Sequence, residues 1–295
     1  MTFKKALDQW VEWLDLIGSE ASTISSYSQP LYKFCDQNRM GSTTVDQIDE
    51  FHLNKMINPK DDTCLATRRR KLAGVKSFFK YCNGKGWCGG DPSLLVRVKT
   101  KGLSFRQKEP QVKEPFTMEE LGLVYRYFTD YLKTAERRRV NQPRIDMASF
   151  WLKACDISYW TGLRMGDIIC MEWDSVQGEE LVVWTDKRDK RIAIDMTSPH
   201  CGGGILVEIF KGIKRADDRF IFPRFRNRYV KQGHTYFSRN FTRWVRLAKV
   251  PRKTFHCLRH TFVSRLAEEG VSMEQISRIV GHSNVVTTEG YRHDR

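Results

Sequence analysis

The sequence predicts a mainly α-helical protein with a small β-hairpin or sheet, folded as an N-terminal helical domain and a mixed α/β second domain. Three observations predict it. At 295 residues the chain is long enough for about two cores. Apolar residues recur at helical spacing through most of its length, and strand-like runs stand out in one stretch. A basic, apolar-poor segment, VKTKGLSFRQKEPQVKE, has the composition of a linker. The expected boundaries are 1–98 for the first domain, 99–114 for the linker and 115–295 for the second.

The elements follow in order. FKKALDQWVEWLDLIG sets Phe3, Leu7, Trp10, Leu14 and Ile17 on a 3.6-residue rhythm, a first helix. Ser22 or Thr23 is the expected cap of a second, running through Tyr27, Leu31 and Phe34. Val45, Ile48, Phe51 and Met56 mark a third. A fourth, from about Thr67 to Tyr81, shows Leu72, Val75, Phe78 and Phe79 on one side. Its other side is basic, with Arg68, Arg69, Arg70, Lys71, Lys76 and Lys80. GKGWCGGDPS ends it. After the linker, Thr117 stands three residues before Glu120, a capping box that opens a new helix. A charged interruption, TAERRRVNQPRID, occupies 134–146. LVVWTDKRDKRIAI reads as a β-hairpin, two strand-like runs around a charged turn. CGGG at 201–204 is another turn, and helices resume to the C-terminus.

Charge narrows the partner. The formal net charge is +15, with 15 Lys/Arg against 11 Asp/Glu in residues 1–100 and 35 against 24 in 101–295. Such an excess favours polyanions, above all nucleic acid, because each neutralised phosphate releases counterions. No window approaches the ~20 apolar residues of a membrane span. Asp8, Glu12 and Asp15 interrupt the N-terminal stretch, which is not expected to be a signal peptide. The eight cysteines are scattered without a CxxC, and read as buried free thiols of a reducing compartment, the cytoplasm.

Four motifs can carry chemistry. In SYWTGLRMGDIICMEW, Gly162 breaks one helix and a second starts near Leu163, so Arg164 falls in a first turn, where free backbone N–H groups favour an anion. Asp167, one turn on, can hold the guanidinium. The bland alternative is a surface arginine. Lys187 lies in the hairpin turn with Arg188, Lys190 and Arg191. A lysine there can reach into a groove and donate a proton, or simply be solvated. In FHCLRHTF, Phe255, Leu258, Phe262 and Leu266 share one helical face, and His256 and Arg259 lie ~60° apart on its flank. A metal site from His256 and His260 lacks a third ligand at sensible spacing and the glutamate of HExxH. His260 also reads as a core histidine. In GHSNVVTTEGYRHDR, Tyr291 follows His282 by nine residues, among neighbours that offer no apolar burial. A phenol attacks well only where cations stabilise its oxyanion.

In this order and these contexts, TGLRMGD, the hairpin lysine, HCLRHTF and GHSNVVTTEGY resemble the catalytic set of the tyrosine site-specific recombinases, the phage integrase, Xer-type and Cre-type family. The resemblance covers 115–295 by motif. Residues 1–98 resemble the family's helical core-binding (SAM-like) domain by size and pattern. It implies a mixed α/β tyrosine-recombinase catalytic domain, an enzyme that breaks and rejoins DNA through a 3′-phosphotyrosyl intermediate and a Holliday junction, and a role in integrating or excising a phage or mobile element. It implies Tyr291 as nucleophile, Arg164 and Arg259 on the phosphate, and Lys187 as general acid to the 5′-oxygen. His256 takes the tyrosine proton or bonds the phosphate, His282 donates to an oxygen, and Asp167 supports them. No metal and no cofactor is required. The implied partner is double-stranded DNA with an inverted-repeat core site, bound by a homotetramer that is a monomer free in solution, with accessory DNA-bending proteins in some systems. The place is the bacterial cytoplasm, at the nucleoid of the host. Arg68, Arg69, Arg70, Lys76, Lys80, Arg188 and Lys190 are the expected further DNA contacts. Only four residues follow Tyr291, so the helix that many members dock into a neighbouring subunit is not expected.

Two rivals stay in view. Type IB topoisomerases use two arginines, a lysine, a histidine and a tyrosine without site specificity. A non-enzymatic binder is suggested by LAEEGVSMEQISRIVGHSNVVT, which reads as a helix-turn-helix with Ser272 as cap. A binder leaves Arg164, Lys187 and Tyr291 unexplained.

Overall fold

The computed structural model describes residues 1–61, 63–100, 103–104, 114–137, 141–185, 190–217, 219–251 and 253–281. The chain divides into two compact units, Met1–Val112 and Lys113–Arg295.

The first unit is helical. α1 (Phe3–Leu16) buries Phe3, Leu7, Trp10 and Leu14. α4 (Leu65–Gly84) supplies Phe78, whose ring meets those of Phe3 and Trp10 edge-on at 5.5 Å each. α2 (Ala21–Gln37) starts earlier than Ser22 or Thr23 as cap would allow. The Thr23 and Ile24 amides already donate to the Glu20 carbonyl, so Glu20 is the cap residue. Pro30 sits inside this helix. An interior proline costs about 3 kcal/mol. Burying Leu31 and Phe34 returns about 1.5–3 kcal/mol each, and the helix continues.

Two further expectations for this unit need correcting. The third apolar stretch is not one helix. A 3₁₀ turn at Val45–Gln47 is followed by α3 (Glu50–Ile57), which Asp49 caps by accepting from the His52 amide. The new start resets the helical phase. Leu53, Met56 and Ile57 face inward, and Phe51 is 72% exposed. Arg68 does not belong to the basic surface of α4. At positions 68, 72, 75 and 79 it shares the buried stripe. It is 3% exposed, with Nε donating to the Thr63 carbonyl at 2.9 Å and Nη2 to that of Pro59 at 3.2 Å. Arg69, Arg70, Lys76 and Lys80 are exposed.

The second unit opens with α5 (Met118–Arg137). Its capping box forms as expected, Thr117 N to Glu120 Oε2 at 3.0 Å and Glu120 N to Thr117 Oγ1 at 3.1 Å. α6 (Gln142–Thr161) packs on α5. The charged 134–146 segment is thus taken up largely by two helix ends, with 138–140 outside the described residues. Trp151 of α6 is fully buried against Phe237, Phe241 and Phe255, and its indole N–H donates to Asn240 Oδ1 at 2.7 Å. α7 (Met165–Ile169) leads to the sheet. β2 (Glu180–Thr185) and β3 (Lys190–Asp195) pair antiparallel as the hairpin requires, with Leu181 opposite Ile194 and Val183 opposite Ile192, all buried. A short β1 (Val176–Gln177), not expected from the pattern, adds a third antiparallel strand beside β2. The CGGG turn holds Gly202, Gly203 and Gly204 at positive φ. α8 (Ile205–Lys211), α9 (Pro223–Leu247), α10 (His256–Glu268) and α11 (Met273–Ile279) complete the unit. Ser272 caps α11 by accepting from the Gln275 amide at 3.3 Å. All eight cysteines are free thiols. Among the described residues no helix is long and apolar enough to cross a membrane.

Candidate active site

The site begins where α6 stops. Gly162 takes φ 66, a left-handed conformation, and ends the helix. A Cβ there would lie 2.6 Å from a Phe262 ring carbon and 3.2 Å from a Val280 methyl, so both backbone and space demand glycine. The chain then turns under two ties, Ser158 Oγ to the Leu163 carbonyl at 3.1 Å and the Leu163 amide to Thr161 Oγ1 at 3.2 Å. Arg164 stands at the N-cap of α7, one position before the first turn where the sequence reading put it. Its amide donates to Asp167 Oδ2 at 3.3 Å, and Nη1 lies 3.8 Å from the same oxygen. The Asp167 side chain is 7% exposed and that of Arg164 25%, so a buried carboxylate holds an accessible guanidinium.

α10 brings the second motif. Phe255, Leu258, Phe262 and Leu266 are buried, as the helical face required. His256 opens the helix, its ring edge-on to His260 with centroids 4.9 Å apart. Arg164, Asp167 and His256 line one pocket of about 330 Å³. Tyr229, His234 and Ser238 of α9, with Thr254, complete the wall. The motifs alone did not find these residues. Gly233, in a segment poor in apolar residues, was the one local sign that α9 changes direction there.

Arg259 is placed differently from a plain second arm on the phosphate. It is 1% exposed, with Nη1 donating to the Gly162 carbonyl at 2.8 Å and Nη2 to the Val280 carbonyl. It ties the turn before Arg164 to the segment that leads into His282. Lys187, Arg188, His282 and Tyr291 lie outside the described residues, and Lys190 begins β3 opposite Thr185. Among the described residues no group of three His, Cys, Asp or Glu side chains is gathered to hold a metal. In the first unit, Lys33, Lys55, Arg70 and Lys71 line a groove of about 540 Å³ between α2, α3 and α4.

Chemically, the pocket presents a guanidinium fixed by a carboxylate, two imidazoles and hydroxyls, groups that can bind an oxyanion. Known proteins share the sequence pattern and the fold. Residues 133–295 match the phage integrase family. The tyrosine recombinase XerD of Listeria innocua serovar 6a is 23% identical over 292 residues, covering 94% of this chain and 89% of that protein. The tyrosine recombinase XerC of a Roseiflexus species is 22% identical over 286 residues, covering 92% and 83%. A lambda integrase dimer bound to a COC′ core site superposes with a TM-score of 0.72 at 19% identity, over 100% of this chain and 96% of that one. The Tn1549 transposon integrase bound to a circular intermediate DNA gives 0.62 at 13%, over 100% and 96%. With the family's match spanning more than half of its length, the chain belongs to the phage integrase family, the tyrosine recombinases.

Proposed function

We propose that the chain is a site-specific DNA recombinase that cuts and rejoins strands through a covalent link to Tyr291. The observation that carries the reading is the convergence of Arg164, Asp167 and His256, distant in sequence, on one pocket, in a chain whose net charge is +15. The Tyr291 oxygen attacks the scissile phosphorus, the P–O5′ bond breaks, and Lys187 protonates the leaving 5′-oxygen. His256 accepts the phenol's proton or bonds the phosphate, and His282 donates to an oxygen. The 5′-hydroxyl of a partner duplex then reverses the step, so two exchanges pass through a Holliday junction. Negative charge gathers on the non-bridging oxygens in the transition state. Arg164 is preorganised for them by Asp167, at a typical value of several kcal/mol for such donors. Arg259 fixes the two backbone segments that frame the pocket, besides the contact with phosphate that the family motif assigns it. No nucleotide or hydrolytic water enters the step, because the phosphotyrosyl bond keeps the energy of the broken one.

The partner in this reading is double-stranded DNA with an inverted-repeat core, held by four copies of the chain. The helical unit is the core-binding domain, the second unit the catalytic domain. The biological task we assign is integration and excision of a phage or mobile element; the relatives named XerC and XerD make chromosome-dimer resolution the competing task. Repeats and phage genes beside the coding sequence decide between them.

The direct test incubates the protein with a randomised duplex pool and recovers strands that stay attached under denaturing conditions. Tyr291→Phe is expected to abolish the adduct and leave binding intact. Adducts that persist in this variant remove Tyr291 as nucleophile. A complex bridging two duplexes that carry the recovered sequence separates recombinase from topoisomerase.

A further inference from the structure

The pocket has a wall that the strand-cleavage step leaves unused: Tyr229, His234 and Ser238, all on α9. In an uninterrupted helix Tyr229 and His234 stand about 140° apart and face different surroundings. Here Gly233 takes φ 74 and ψ 174 between them. That conformation is open essentially to glycine alone. A Cβ at Gly233 would meet nothing within 4 Å, so this glycine answers to the path of the backbone and not to a crowded neighbour. The break resets the helical phase. His234 and Ser238, one turn apart, line the same pocket as Tyr229. The Tyr229 hydroxyl lies 3.1 Å from where a Gly166 Cβ would stand, over the short helix that Arg164 caps. Arg164 and Asp167 reach this pocket from the start of α7, and His256 from the start of α10. What α9 adds is therefore an imidazole and two hydroxyls, and His234 is exposed.

We infer that His234 is a further DNA contact, its ring donating to a backbone phosphate that flanks the one received by Arg164 and His256, with the break at Gly233 aiming it. The inference rests on the reading of this pocket as the strand-cleavage site. His234 sets the register of the strand, so that the scissile phosphorus stops in front of the nucleophile. Being exposed, it can be changed without disturbing the core.

The test uses the full-length protein and a duplex recovered covalently from the randomised pool. Phosphates on that duplex are ethylated sparsely, and strands whose ethylation blocks adduct formation are mapped. Wild type is expected to show interference at the scissile phosphate and at a flanking one. His234→Ala is expected to form adducts about 10-fold more slowly and to lose the flanking interference while keeping the scissile one. His234→Gln, which retains an N–H donor, is expected to keep both. An unchanged rate and map in His234→Ala overturns the inference and leaves the cleavage site standing. A wild type that forms no Tyr291-dependent adduct overturns the reading of the pocket, and the inference with it.

Discussion

Arg164 and Arg259 carry the same charge in opposite surroundings. The first has 25% of its side chain exposed and leans on Asp167. The second is 1% exposed and donates to two backbone carbonyls, those of Gly162 and Val280. Their removal should therefore differ in kind. Arg164→Ala is expected to eliminate covalent adducts at a cost of about 1–2 kcal/mol, since the buried Asp167 carboxylate loses the guanidinium but keeps the residue-164 amide as a donor. Arg259→Ala leaves two buried acceptors without a donor and opens a void, at about 3–5 kcal/mol. Urea denaturation of both variants beside the adduct assay distinguishes them. Equal stability of the two would mean that Arg259 does not tie the two segments. Gly162 makes the same point through space and backbone. Gly162→Ala adds a carbon 2.6 Å from Phe262 at φ 66. A loss of about 1–3 kcal/mol is expected by the same denaturation, and a neutral outcome would show that the turn yields easily.

Between elements, the pairing of α5 with α6 contains a carboxyl whose protonation should show in stability. Burial pushes Asp156 above its ordinary pKa of 3.8, while a hydrogen bond from Tyr125 and the charge on Lys153 pull it partly back. A carboxyl with a raised native pKa favours the fold fully below 3.8, and that contribution is lost as pH rises through the native value. Asp156→Asn stays neutral at every pH and can still accept from Tyr125. It should be more stable than wild type near neutral pH, with the gap closing toward about pH 4. A gap that ignores pH, or a destabilised variant at neutral pH, contradicts the burial argument. Element starts and stops governed by local chemistry were readable in the sequence: the Thr117–Glu120 box, Gly162, the Ser272 cap and the hairpin pairing. What escaped depends on helical phase. Phe51 turned outward because Asp49 restarts a helix, and Arg68 turned inward because it falls on the stripe of Leu72 and Val75. The α9 wall of the pocket escaped for the same reason. One non-helical residue at Gly233 decides which side chains face Arg164, and apolar periodicity does not report it.

At the scale of the whole molecule, charge and chemistry are separable. Residues 1–100 hold 15 Lys/Arg against 11 Asp/Glu, a slight excess. Much of that excess is concentrated on α4, where Arg69, Arg70, Lys76 and Lys80 are exposed, and Lys33, Lys55, Arg70 and Lys71 line one groove. A concentrated face binds phosphate better than the net charge suggests, since each neutralised phosphate adds about 0.9 to the slope of log Kobs against log salt. If this face lies on DNA, replacing Arg69, Arg70, Lys76 and Lys80 together by Gln should flatten that slope by up to about 3.6 between about 50 and 200 mM salt. Fluorescence anisotropy on the randomised duplex pool measures it. These side chains lie outside the core, so the melting temperature should stay put. At protein concentrations that restore saturation, Tyr291-dependent adducts should form at the wild-type rate, because none of the four touches the pocket of Arg164 and His256. A slope that does not change would assign the face to solvent and move the DNA-binding surface elsewhere on the chain. A slope that flattens together with the rate at saturation would mean that the α4 face also positions the scissile strand.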